Sequence, residues 1–273
     1  MTNTTTITVE TVTPELAAQW LRKNTHNRNL KERNLQAMVG DMKAGNWKFN
    51  GEPIKFAKDG TLLDGQHRLT AVAQSGLAQD MLIVRGLDKG SQHTMDAGAV
   101  RSAADALKLR GEKNCNTLAS GIRLAMAWEK GIRKGIGEGT RGLGKVTTST
   151  ILDYLDEHPE LRFYAKEATR LVSRCSLPAS ALFLLVKLFY EINEDDCEWF
   201  FDRLTSHEGL RGDPIYELDK ALTKADMGSV KVRTSWRIAV TIKAWNKFRS
   251  GESMSVLRYS PGGANPERFP EPV

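Results

Sequence analysis

The chain has 273 residues, 40% hydrophobic and 26% charged, and a formal net charge of +6. That length suits two modest domains of about 100–150 residues, and the surplus of Lys and Arg favours an anionic partner without making the chain a polycation. Cys115, Cys175 and Cys197 stand singly and far apart, which excludes a disulfide framework and a zinc knuckle and suits a reducing compartment.

Residues 1–8 are polar and Thr-rich and read as a frayed or edge segment without the basic and apolar regions of a signal peptide. No apolar run in the chain reaches the roughly 18–20 residues that a membrane span needs. The expectation is a cytoplasmic protein with no membrane partner. Thr13-Pro14-Glu15 is a helix start, a cap followed by Pro in the first turn, leading into Leu16, Ala17, Trp20 and Leu21. After the connection His26-Asn27-Arg28, the spacing of Leu35, Met38, Val39 and Met42 predicts a helix over 31–44, stopped by Gly45.

Pro53-Ile54-Lys55-Phe56-Ala57 and Thr61-Leu62-Leu63 flank Asp59-Gly60, a strong hairpin signal. The second strand runs into a tight turn at Asp64-Gly65, and a helix is expected to open at Gln66 and end at Gly76. The N-terminus of such a helix offers free N–H groups and a positive dipole end, a ready anion site. His67 and Arg68 in its first turn add charge-assisted donors, and Asp64 stands beside them as a candidate base or metal ligand. If Asp64 only caps the helix, the rest of the turn is solvated. Met81-Leu82-Ile83-Val84-Arg85 completes the region as an apolar run of strand length.

The order Asp64-Gly65-Gln66-His67-Arg68, followed by Ala71 and Gly76, resembles the signature box of the ParB/sulfiredoxin superfamily. Its Asp-Gly-Gln-His-Arg spelling is similar to a branch of phage and bacterial DNA-associated proteins, the ParB-like nuclease domains. The resemblance covers roughly Pro14 to Gly111 and implies an α+β domain with a small mixed sheet. It also implies phosphate or nucleotide binding by Gly65, Gln66, His67 and Arg68, with Asn27 and Arg28 meeting the same ligand. A nucleoside triphosphate with Mg2+ is the cofactor it leaves open.

Farther on, Asp96, Gly98, Arg101 and Ser102 resemble a segment that accompanies this box and lies by the same cleft; alternatively Asp96 and Arg101 fix a turn and Ser102 caps a helix. From Asn114 the pattern is helical almost throughout, with helices expected at 118–128, 148–156, 160–173, 179–192, 195–204, 214–223 and 230–248. The expected organisation is a ParB/sulfiredoxin-like domain over 1–112, an all-helical domain over 113–256 and an extended Pro- and Gly-rich tail over 257–273.

Two basic stretches in the helical domain are candidate DNA contacts. Gly131 to Lys145, with Arg133, Lys134, Arg141 and Lys145, is Gly-rich, cannot bury a core and reads as a flexible linker or an arm over phosphates. It is not a P-loop, because Gly144-Lys145 is followed by Val146 rather than by a hydroxyl. On the last helix the apolar residues recur at helical spacing, which puts Lys243 and Lys247 on the opposite, basic face, either solvated or against phosphates.

Three function classes follow. The first is a nucleotide- or DNA-binding module that grips phosphate at the turn. The second is an enzyme, a metal-dependent nuclease with Asp64 as a catalytic residue or a phosphotransferase. Related kinases carry a carboxylate in the segment matching His26-Asn27-Arg28, where this sequence has none, and Gln66 stands where sulfiredoxin has its catalytic cysteine. The third is a regulatory or host-interaction protein that keeps the fold without chemistry. The histidines show no ligand spacing, so no metal site is assigned. The partners expected are DNA and a nucleotide, and a homodimer is left open.

Overall fold

The computed structural model describes residues 5–24, 30–95, 102–138, 143–144, 146–229, 232–263 and 265–273. A strand at Thr6–Val12 (β1) leads through the helices Pro14–Leu21 (α1) and Glu32–Lys43 (α2) to the strands Pro53–Ala57 (β2) and Leu62–Asp64 (β3). The helix Gln66–Ser75 (α3), the strand Gln79–Leu87 (β4) and a 3-10 turn at Lys89–Thr94 follow. Thr13 caps α1 as expected, its hydroxyl accepting from Leu16 N at 3.2 Å with Pro14 in the first turn. The β-branched run of β1 favours a strand, and it lies at one edge of a four-stranded mixed sheet in the order β1-β4-β2-β3. β4 runs antiparallel to β1 and parallel to β2, and β2 and β3 form the expected hairpin.

Alternation along these strands turns Val12, Ile54, Phe56, Met81 and Ile83 to one face. There they meet Ala17 and Trp20 of α1, Leu35, Val39 and Met42 of α2, and Leu69 and Val72 of α3 in one apolar cluster. Helices covering one face of a small sheet make an α+β unit.

Eight further helices follow at Ala103–Leu109 (α4), Cys115–Glu129 (α5), Thr148–Glu157 (α6), Leu161–Leu171 (α7), Ala179–Tyr190 (α8), Glu194–Ser206 (α9), Pro214–Met227 (α10) and Thr234–Arg249 (α11). The chain divides into two units, Met1–Val100 and Arg101–Val273, and the second is helical throughout its described elements. α8 is buried from Ala181 to Phe189 apart from Lys187 and forms its centre. Trp245 of α11 stacks on Phe189 at 4.1 Å, and α5 crosses α8 at Gly121, where a Cβ would come within 2.2 Å of the Phe183 ring. Among the described residues, no helix is long and apolar enough to cross a membrane.

Two expectations about this second unit are corrected. α11 is not two-faced: Arg237 through Ile242 are buried without a break, because neighbours cover it nearly all round. The Gly-rich segment contributes to the core after all, through Ile136 at 1% exposure. The described residues of the tail form no helix or strand and are mostly exposed, and two of its rings pack inward: Tyr259 is buried, and Phe269 meets Trp128 edge-on at 6.1 Å.

Candidate functional site

The turn between β3 and α3 is shaped first by Gly65. Its φ of +102° is strained for a side-chain-bearing residue, and a Cβ there would fall 2.4 Å from Ile54 Cδ1. The backbone therefore lies directly on the core, with α3 starting where β3 stops. Gln66, 6% exposed, accepts at Oε1 from Asn24 Nδ2 at 2.9 Å and ties the start of α3 to the end of α1. His67 Nε2 accepts from Lys31 N at 3.0 Å, so the ring is the Nδ1–H tautomer and anchors the start of α2.

Asp64 is enclosed by donors. Its Oδ1 accepts from Gly65 N at 2.6 Å, while Oδ2 takes Arg68 Nη2 at 3.1 Å and Lys55 Nζ at 3.2 Å. The three side chains are 14–21% exposed. Two cations thus share one carboxylate oxygen, which leaves a net positive charge beside the positive end of a helix dipole. One group in this arrangement is unsatisfied: Arg68 Nη1 is buried without a hydrogen-bond partner. An orphaned buried donor costs about 1–3 kcal/mol, more when charged, and invites an acceptor.

No family model, no curated protein and no solved structure matches this chain.

The residues expected at the turn are therefore assembled there, but with divided roles. Gly65, Gln66 and His67 build it, and Arg68 supplies the donor. Lys55 was not singled out from the sequence, although alternation puts it on the face opposite Ile54 and Phe56, and the hairpin register pairs it with Asp64. Asp64 itself is occupied by two cations and a backbone amide, a poor starting point for a base or a Mg2+ ligand. Among the described residues, no three His, Cys, Asp or Glu side chains converge to hold a metal ion. Burial pushes the Cys175 thiol up to about 11 and that of Cys197 up to about 12, far from a ready nucleophile.

Asn27, Arg28, Asp96, Arg101, Arg141 and Lys145 lie outside the described residues. Ser102 is the N-cap of α4: its hydroxyl accepts from Asp105 N at 3.2 Å, and the Asp105 carboxylate accepts from Ser102 N at 2.8 Å, a capping box. Its polar groups are engaged in that helix start.

Three of the candidate DNA contacts in the helical unit, Arg133, Lys243 and Lys247, have partners of their own. Arg133 is bidentate to Glu271 at 2.7 and 3.1 Å, donates to Trp128 O and stacks 3.5 Å from the Trp128 ring centroid. Lys243 donates to Arg258 O at 2.6 Å and to Glu267 at 2.5 Å, and Lys247 pairs with Glu252. Burial pushes the Glu267 carboxyl up, yet the Lys243 and Ser260 hydrogen bonds hold it below its ordinary value overall. Lys134 is exposed.

Proposed function

We propose that this chain is a ParB-like, DNA-associated protein that binds a phosphate group of a nucleotide or nucleic acid at the Asp64–Arg68 turn. The observation that carries the reading is the buried, unpartnered Arg68 Nη1 at the opening of α3, where Lys55 and Arg68 outnumber the single carboxylate of Asp64. A phosphate oxygen would satisfy that donor and balance that charge. The sequence resemblance supplies the family, and through it Asn27 and Arg28 join the same site. Binding is preferred to turnover because both Asp64 oxygens are occupied by internal donors.

Calorimetric titration with nucleoside di- and triphosphates and with short DNA duplexes tests this. Arg68→Met should abolish the binding of nucleoside di- and triphosphates or of duplexes with 5′-hydroxyl ends, whichever the wild type takes, while the variant stays folded. Affinity for duplex DNA should fall steeply with added salt. Wild-type binding of these ligands that survives Arg68→Met, or no binding of any of them, sinks the reading.

A further inference from the structure

The N-terminal unit has a second concave basic surface, separate from the turn and made by different residues. It is a groove of ≈ 190 Å³ at the tip of the β2–β3 hairpin, lined by Trp20, Lys23, Phe56, Lys58, Gly60 and Arg85 among others. Backbone bonds fix its parts. Lys23 N donates to Trp20 O at 3.0 Å, and Lys23 O accepts from Leu62 N at 3.0 Å, so the residue just past α1 is pinned to β3. Lys58 N donates to Leu87 O at 3.0 Å and holds the hairpin tip against the end of β4. At Gly60 a Cβ would stand 4.0 Å from Lys23 Nζ, so that ammonium reaches over the tip.

The floor is rigid. Trp20 and Phe56 meet edge-on at 5.2 Å, and the Arg85 guanidinium lies 5.3 and 5.6 Å from their ring centroids. Arg85 is balanced by a bidentate pair with Glu10 at 2.5 and 3.0 Å, and the nearby Asp59 faces Thr61 N and Lys89. Lys23 and Lys58 have no ion pair among the described residues, so two positive charges on the rim stand without a counter-charge.

The geometry points to a binding pocket for a phosphate monoester dianion between Lys23 and Lys58. Two lysines act as mobile point charges suited to phosphate, and their sum matches a dianion. The volume is below the roughly 300–1,000 Å³ of pockets that enclose drug-sized ligands, so the pocket receives the phosphate group and what is directly attached to it. Inorganic phosphate, a nucleoside monophosphate and the 5′-phosphate of a DNA end share that chemistry.

The full chain is titrated calorimetrically with inorganic phosphate, with AMP, and with one oligodeoxynucleotide carrying either a 5′-phosphate or a 5′-hydroxyl. The proteins are the wild type, Lys23→Gln/Lys58→Gln and Arg68→Met, with circular dichroism confirming that each is folded. The double variant should bind the phosphate-bearing probes about tenfold more weakly or worse, as expected for losing charge-assisted hydrogen bonds, while Arg68→Met keeps this binding. Tighter binding of the 5′-phosphoryl than of the 5′-hydroxyl oligonucleotide would assign the pocket to DNA ends, and equal binding of AMP and phosphate would assign it to small monoesters. No binding of any phosphate-bearing probe by the wild type, an unchanged affinity in the double variant, or a loss in Arg68→Met as large as in the double variant overturns the separate pocket. The last of these results would leave the Asp64–Arg68 reading standing.

Discussion

The Asp64–Arg68 turn and the C-terminal segment are both rich in base, and they treat it in opposite ways. At the turn, Lys55 and Arg68 converge on one oxygen of one carboxylate and a guanidinium nitrogen is left over. Around α11 four described bases have acids of their own: Arg133 has Glu271, Lys243 has Glu267, Lys247 has Glu252 and Arg249 has Asp196. The first arrangement is open to an external anion, and the second is closed by the chain itself. A positive stretch in a sequence is therefore no guide to a phosphate-binding face until the acids that answer it are located.

The hardest test of that contrast is at Gly65. Gly65→Ala forces a side chain into both a left-handed backbone and the Ile54 methyl, and should cost about 3 kcal/mol by urea denaturation; a loss below about 1 kcal/mol would mean that the turn is not set by this contact. Removing the acid at each place compares the two regions directly. Asp64→Asn strips the one carboxylate paired with these two largely buried cations among the described residues and should cost about 2 kcal/mol, part of which added phosphate restores. Glu271→Gln, at a site where the carboxylate is 57% exposed, should cost less than about 1 kcal/mol and show no rescue. Equal losses and equal rescue would erase the distinction.

The smallest effect is a pH dependence at Glu10. The Arg85 hydrogen bonds hold its carboxyl below the ordinary value of 4.5. A depressed native pKa stabilises the fold above the unfolded value, and that stability is lost as pH falls through the native one. Wild-type stability measured downward from pH 5 should therefore fall more than that of Glu10→Gln, and parallel curves would remove this pair from the account.

The turn was legible in the sequence because local rules write it. Asp59-Gly60 makes the hairpin, the alternation of Ile54 and Phe56 sets the core face, and Gly65 before Gln66 marks the change from strand to helix. Lys55 was within reach of the same rules once the hairpin register is counted back from Asp59-Gly60 to Asp64. The closure of the basic helix was not. Glu267 answers Lys243 from 24 residues away and Glu271 answers Arg133 from 138, and no local period connects them. The burial of Ile136 in a Gly-rich stretch is equally a tertiary matter.

The strand order has a consequence for how the N-terminal unit is made. β4 is its last strand in sequence but sits inside the sheet, between β1 and β2, with Thr6 opposite Arg85. As the chain leaves the ribosome, β1 has no partner until β4 emerges, and only the β2–β3 hairpin can pair earlier, a two-stranded piece that is marginal alone. Closing so long a loop makes the insertion of β4 the slow, entropy-opposed step. A chain cut just before Gln79 would carry every residue of the Asp64–Arg68 turn and still lack the strand that holds β2, and with it Ile54 and Lys55, in place.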